Sequence, residues 1–251
     1  MKLTWRTFSV NSPRTDMHLT WILTKRELGA YFDSPAAYVV LSVFLLFTGW
    51  FFANPLFLEN TASLRSVFDL IPFIYLFFVP AVTMSTFAEE RRAGTLELLL
   101  TLPIRDWQVI AGKLLAVVIF LGVGLAATLL YPLSLSLMGD LDLGQTVGGY
   151  AGLLLLGTTC GAIGMFASSL TRNQIVAFII GFGIIFVLFL LDKVTVFAPG
   201  WLAGVLEYLG TDFHARNMMR GVIDSRDVLY YVSVTFFATL LTAYSLSRRP
   251  E

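Results

Sequence analysis

Four consecutive charges, Glu89, Glu90, Arg91 and Arg92, are the densest chemical group in this chain, and they lead through Ala93 into Gly94, Thr95, Leu96, Glu97, Leu98 and Leu99. An acidic pair beside a basic pair offers donors and acceptors of both signs to a protein partner, but it holds no nucleophile. Other chemistries find little support. His18 and His214 are far apart in sequence, and the single cysteine, Cys160, lies in an apolar run, so neither a metal site nor an internal disulfide is expected. No HExxH or GxSxG pattern occurs. Gly112-Lys113 has the look of a P-loop fragment, but Trp107 stands where the first glycine belongs and Leu114 where Ser or Thr belongs. The chain is therefore expected to carry no catalytic residue and no cofactor of its own.

The elements that hold this group must be read from composition. Hydrophobic residues make up 57% of the 251 and charged residues 14%, with 22 phenylalanines and a formal net charge of zero. Mean hydropathy is +0.76 and the pI about 6.7. A soluble domain of this size is seldom so apolar, and a nucleic-acid-binding chain would be basic. The N-terminal 34 residues carry Lys2, Arg6, Arg14, Lys25 and Arg26 without the short apolar core and cleavage site of a secretory signal, so no cleaved leader is expected.

Six stretches, near 35–53, 67–88, 113–138, 147–170, 174–191 and 228–247, are apolar over about the 20 residues that a helix needs to cross about 30 Å of hydrocarbon. Lipid offers no hydrogen bonds to backbone amides, and unbroken rather than alternating apolarity selects helix over barrel strand. The expectation is an all-α polytopic membrane protein with six transmembrane helices. It divides into an N-terminal arm, 1–34, and a transmembrane domain, 35–251, with an outer loop at 192–227.

Twelve of the 17 Lys and Arg fall on the side of the two termini: five in the N-terminal arm, then Arg91, Arg92, Arg105, Lys113, Arg172, Arg248 and Arg249. The retention of basic loops in the cytoplasm puts both ends there. Asp33-Ser34-Pro35 marks the start of the first span, with a capping side chain and a proline where its missing N–H costs nothing. Upstream, Trp21, Leu28, Tyr31 and Phe32 share one face opposite Lys25, Arg26 and Glu27, the pattern of an amphipathic helix lying in the interface.

After the second span Gly94 interrupts the helix that carries Glu89 to Arg92. Thr95 can cap a new one, and Leu96 to Leu102 gives under two turns before Pro103 ends it. Asp106 is expected to cap the helix of the third span. A short helix parallel to the membrane results, its leucines against the bundle and its charges free for a cytoplasmic partner. An ordinary basic loop accounts for each residue singly, but the acidic pair, basic pair, break and short apolar helix together exceed what topology asks.

The run from Phe87 to Leu115, FAEERRAGTLELLLTLPIRDWQVIAGKLL, resembles the cytoplasmic coupling segment of permease subunits in type-2 ATP-binding-cassette exporters. Two further blocks are similar to the branch with gliding-motility and copper-site-maturation permeases: Lys25-Arg26-Glu27-Leu28 to Tyr31-Phe32-Asp33-Ser34-Pro35, and Met219-Arg220-Gly221-Val222-Ile223-Asp224 to Arg226-Asp227-Val228-Leu229-Tyr230. The resemblance implies a permease of the bacterial inner membrane that pairs with a second permease, identical or related. Its short coupling helix would dock in a cytoplasmic ATP-binding subunit that carries the ATP and Mg, with a periplasmic accessory subunit as a further partner class. On this reading Glu89, Glu90, Arg91, Arg92 and Glu97 serve the docking, Gly94 and Thr95 shape the segment, and Leu96, Leu98 and Leu99 fix it to the bundle. The outer loop in this class folds into short helices that dip back into the membrane. Here that implies a lid with Phe213, Arg220 and Asp224 at its far end, or a cover with no gating role.

Pro72 and Pro80 are expected to kink the second span, and Gly157 and Gly161 have the spacing that lets helices approach closely. Two other functions remain open from sequence. An ion-coupled transporter needs ionisable groups at membrane depth, and the span centres hold none, with Asp69 and Asp192 near the outer ends. A non-transporting membrane scaffold is the other. The many Phe and Leu suit a path for lipids, lipid-linked glycans or hydrophobic peptides, and equally suit a lipid-facing wall.

Overall fold

The computed structural model describes residues 13–58, 63–96, 104–137, 142–195 and 199–247. Its long elements are all helices. Helix α1 (Pro13–Asp33) leads directly into α2 (Pro35–Leu58), and the expected proline stands at the first position of α2. Helices α3 (Arg65–Thr83) and α4 (Ser85–Ala93) form one long rod with a break at Met84. Helices α5 (Asp106–Ala127) and α6 (Leu130–Ser136) likewise form one broken rod, the third after α2 and α3–α4. Then come α7 (Leu143–Ser169), α8 (Gln174–Val194), the short α9 (Gly200–Leu209) and α10 (Thr211–Met219), and α11 (Ser225–Ser247). Six of these rods, Pro35–Phe57, Arg65–Ala93, Asp106–Ser136, Leu143–Ser169, Gln174–Val194 and Ser225–Ser247, are long and apolar enough to cross a bilayer. The protein is an all-α polytopic membrane protein.

The third rod begins at Asp106, within a residue of the start expected from the sequence and ahead of the apolar run at 113, its first turns covered by α1. Asp106 is the first helical residue and not the cap: Arg105 holds the cap position and its N–H donates to Gln108 Oε1 at 3.0 Å. The same rod changes direction at Thr128–Leu129, because Pro132 has no N–H to give the Thr128 carbonyl. That carbonyl takes the Tyr150 hydroxyl instead, at 2.9 Å.

Helix α7 is the centre of the bundle, packed by α3, α5, α8, α10 and α11. Its glycines permit this, since association in lipid rests on close packing and not on expulsion of water. A Cβ on Gly157 would stand 3.0 Å from the Tyr75 ring and 3.1 Å from Leu121, and one on Gly161 2.9 Å from Val117. The tightest contact is Gly164, where a Cβ would meet Thr83 Oγ1 at 2.0 Å. Phe68, Ile71, Tyr75 and Val79 of α3, Val117, Phe120 and Leu121 of α5, and Leu153, Leu156 and Met165 of α7 form the core between these helices. Helices α2, α8 and α11 bury one face each and present Phe and Val outward, as a surface bathed in lipid does.

Candidate functional site

Helix α1 lies along the first turns of α5. Its buried stripe is Thr20, Leu23 and Thr24, with Glu27 and Tyr31 half-buried along the same side. Trp21, read from sequence on the same apolar face as Tyr31, lies off this stripe, 48% exposed with Lys25 over its ring at 5.6 Å. The reason is steric. At Gly112 the two helices nearly touch, a Cβ there falling 3.0 Å from Leu23 Cβ and 3.2 Å from the Thr20 carbonyl, so only small residues and one leucine fit. Thr24 Oγ1 donates to the Gly112 carbonyl at 3.1 Å. Gly112 is a packing contact between helices, with no phosphate role in this arrangement.

This approach sets Lys113 where three helices meet. Its side chain is 2% exposed, and the ammonium donates to Glu27 Oε2 of α1 at 3.1 Å, to Glu90 Oε1 of α4 at 2.9 Å and to the Thr86 carbonyl at 3.0 Å, 5.2 Å from the centre of the Phe87 ring. Arg26 Nη2 joins from outside, 3.1 Å from Glu27 Oε1 and 3.3 Å from Glu90 Oε1. Burying a charge is costly without partners, and here two carboxylates and a carbonyl take all three ammonium protons. Tyr31 lies alongside, its hydroxyl 3.5 Å from Thr86 Oγ1. Burial pushes its phenol up to about 12, so it stays neutral.

The break in the second rod is held by a single hydroxyl. Ser168 Oγ of α7 accepts the N–H groups of Phe87 and Ala88, both at 3.0 Å, and donates to the Met84 carbonyl at 2.8 Å. A side chain inserted in the helix ladder is one of the recognised causes of a kink. Helix α3 runs on through Pro72 and Pro80, and the break comes four residues after Pro80.

Beyond the break, α4 delivers the charged group. Glu90 enters the Lys113 cluster, and Arg91 Nη2 donates to the Ser245 carbonyl of α11 at 3.3 Å. Glu89 and Arg92 are exposed. Gly94 ends the helix with φ +69°, the left-handed conformation that glycine adopts without strain. Thr95 turns back, its hydroxyl donating to the Glu90 carbonyl at 3.4 Å, and Leu96 enters the core. Glu97, Leu98 and Leu99 lie outside the described residues. Sequence reading missed Glu27, Lys113 and Ser168. The one signal available for Lys113 was a cation seven positions inside an apolar helix.

At the other end of the bundle, α9 and α10 pack on α7 and α8. Asp192, its side chain 1% exposed, is paired with Arg216 and lies 3.4 Å from Lys193, while Lys193 donates to Asp212 at 2.5 Å. His214 Nδ1 meets Asp227 Oδ1 at 2.5 Å, and its Nε2 is 2.9 Å from the Tyr208 carbonyl. The three residues assigned to a lid have separate surroundings. Phe213 sets its ring against His214 at 5.3 Å, Arg220 is exposed beside a cavity of about 240 Å³ that Asp69 and Gln145 also line, and Asp224 caps α11 by accepting the Arg226 N–H at 2.9 Å. Among the described residues no cluster of His, Cys, Asp and Glu is arranged to hold a metal.

Six rods long and apolar enough to span a bilayer, with a buried polar cluster that ties α1 to α4 and α5, define a multi-pass membrane component. The family model described as ABC-2 family transporter protein matches residues 19–208, and the chain belongs to that family. It is thus an ABC transporter permease, and membership implies an ATP-binding partner. None of the curated proteins compared matches the chain.

Proposed function

We propose that this permease is an exporter subunit of the bacterial inner membrane, with the α1 end of the bundle in the cytoplasm. A separate ATPase subunit, which binds ATP and Mg, docks on the segment from Glu89 through Gly94 and Thr95 to Glu97, Leu98 and Leu99. A second permease, identical or related, completes the path, and a periplasmic subunit can join at the opposite end. The observation that carries this reading is the Lys113 cluster. The segment that would receive the ATPase is bound by Glu90 to α5 and α1 and by Arg91 to α11, so a push at Gly94 to Leu96 reaches several helices at once. ATP acts on such a device only by favouring one of two bundle arrangements over the other.

The test is cysteine crosslinking from Thr95→Cys in intact cells, followed by purification of the tagged chain. The expected result is a stoichiometric ATP-hydrolysing subunit joined at that position, with transport in vesicles that depends on ATP and survives collapse of the ion gradients. Transport by the chain alone that stops with an ionophore would overturn the reading in favour of ion coupling.

A further inference from the structure

Between α1, α2 and the α3–α4 rod lies a chamber of about 460 Å³, lined by Arg26, Glu27, Tyr31, Glu89, Glu90 and Lys113 at its polar end. At Val40 and Ala81 it meets a second cavity, a groove of about 520 Å³ between α2 and α3 whose walls are entirely apolar, with Val43, Phe47, Phe51, Phe73 and Phe77 among them. Phe78 of the groove, with Phe44 at 5.1 Å, stands 6.4 Å from Phe120 of the chamber, so the aromatic wall runs on from one to the other. Polar chamber and apolar groove are therefore one slot with a wet end and an oily end.

The slot has the dimensions of a lipid. Along α2 the groove runs from Val39 to Phe51, about 18 Å at 1.5 Å per residue. One leaflet of a bilayer with about 30 Å of hydrocarbon is about 15 Å deep. The chamber lies at the level of Ser34 to Ala37, where α2 begins, so a lipid with its chain in the groove places its headgroup among the charges.

Those charges select the headgroup. Lys113 is saturated by its three acceptors, and Arg26 is 56% exposed at the rim. Glu90 Oε1 receives both cations, but Oε2 of the same carboxylate is buried without a hydrogen-bond partner. Glu89 at the rim adds a second carboxylate, leaving the chamber with three acids against two bases. A carboxylate open at the rim, beside a Glu90 carboxylate short of one donor, favours a ligand that brings an ammonium. We propose that this slot binds one membrane phospholipid with a primary-amine headgroup, the ammonium at Glu89 and beside the Glu90 carboxylate, the phosphate at Arg26, and an acyl chain in the Phe-lined groove. This goes beyond the exporter reading and does not depend on it.

The test is native mass spectrometry of the full-length protein in detergent, with phosphatidylethanolamine, phosphatidylcholine and phosphatidylglycerol of matched chains added at equal concentration. One phosphatidylethanolamine is expected to bind about tenfold more tightly than either competitor, the effect of one charge-assisted hydrogen bond. Glu89→Gln is expected to shrink that preference severalfold. Val40→Trp at the waist is expected to abolish binding of all three, and Val43→Trp on the outward face provides the same block without disturbing the half-buried waist. Equal binding of the three lipids overturns the headgroup assignment. Binding unaffected by either tryptophan overturns the site, and so does a protein dimer that either tryptophan dissociates, since the groove then belongs to a second copy. Retention of the ATPase subunit, measured on the same samples, is a separate readout: its loss bears on the exporter reading and leaves the lipid preference intact.

Discussion

Lys113 joins α1, α4 and α5 through a single ammonium, and its partners are worth more to the fold than its charge is. Replacing it by methionine keeps the aliphatic bulk but leaves Glu27 and Glu90 facing each other with Arg26 alone to screen them. Breaking one side of a buried ion pair costs about 3 kcal/mol. Lys113→Met is therefore expected to lower the thermal unfolding midpoint in detergent clearly, and adding Glu27→Gln and Glu90→Gln to restore most of the loss, because no buried uncompensated charge then remains and Arg26, 56% exposed, is left to solvent. A triple variant no more stable than Lys113→Met would show that the cluster contributes packing alone. The residue itself was visible in the sequence as one more basic group on the cytoplasmic side. Its burial was not, because that depends on α1 folding back over Gly112, a contact between positions 88 residues apart. The charged pair Glu89-Glu90 was legible as a unit, but nothing local told Glu89, at the surface, from Glu90, in the cluster.

At the scale of elements, the six spans could be read because lipid imposes a length and an apolarity that no side-chain detail overrides. The break in the second span could only be half read. Pro72 and Pro80 announced an irregular helix, while the place of the break is set by Ser168 on another helix, and by Gly164 one turn before it, which admits Thr83. Ser168→Ala removes the acceptor of two buried amides, at about 2 kcal/mol for groups left without a partner. The expected outcome is a lower unfolding midpoint and faster hydrogen exchange at Phe87 and Ala88. Pro80→Ala, by contrast, leaves Ser168 in position and is expected to keep those amides protected. If Pro80→Ala exposes them and Ser168→Ala does not, the proline and not the serine maintains the break. The helix of the third span starts within a residue of where Asp106 announced it, and its first turns, 106–112, are less apolar than a lipid-facing helix because α1 covers them.

For the molecule as a whole, the two ends are built on different plans. Ser168, near the end of α7, touches α4 beside Lys113, so the far end of α8 with Asp192 belongs to the opposite face. One end thus carries the Lys113 cluster and the Gly94 turn. The other carries α9 and α10, fastened by Asp192–Arg216, Lys193–Asp212 and His214–Asp227. On the proposed orientation, in which short basic loops flanking spans stay in the cytoplasm, these two faces lie in opposite compartments. Single cysteines test this directly, since the native Cys160 is buried and gives little background. With a membrane-impermeant maleimide, Arg220→Cys is expected to label in intact cells, and Thr95→Cys only after the membrane is opened. Reversed labelling would turn the bundle over and place the Gly94 turn where no cytoplasmic ATPase can reach it. The lipid slot would then lie in the outer leaflet, and the Lys113 cluster would have to be explained as a fastening of the fold with no part in receiving force from ATP.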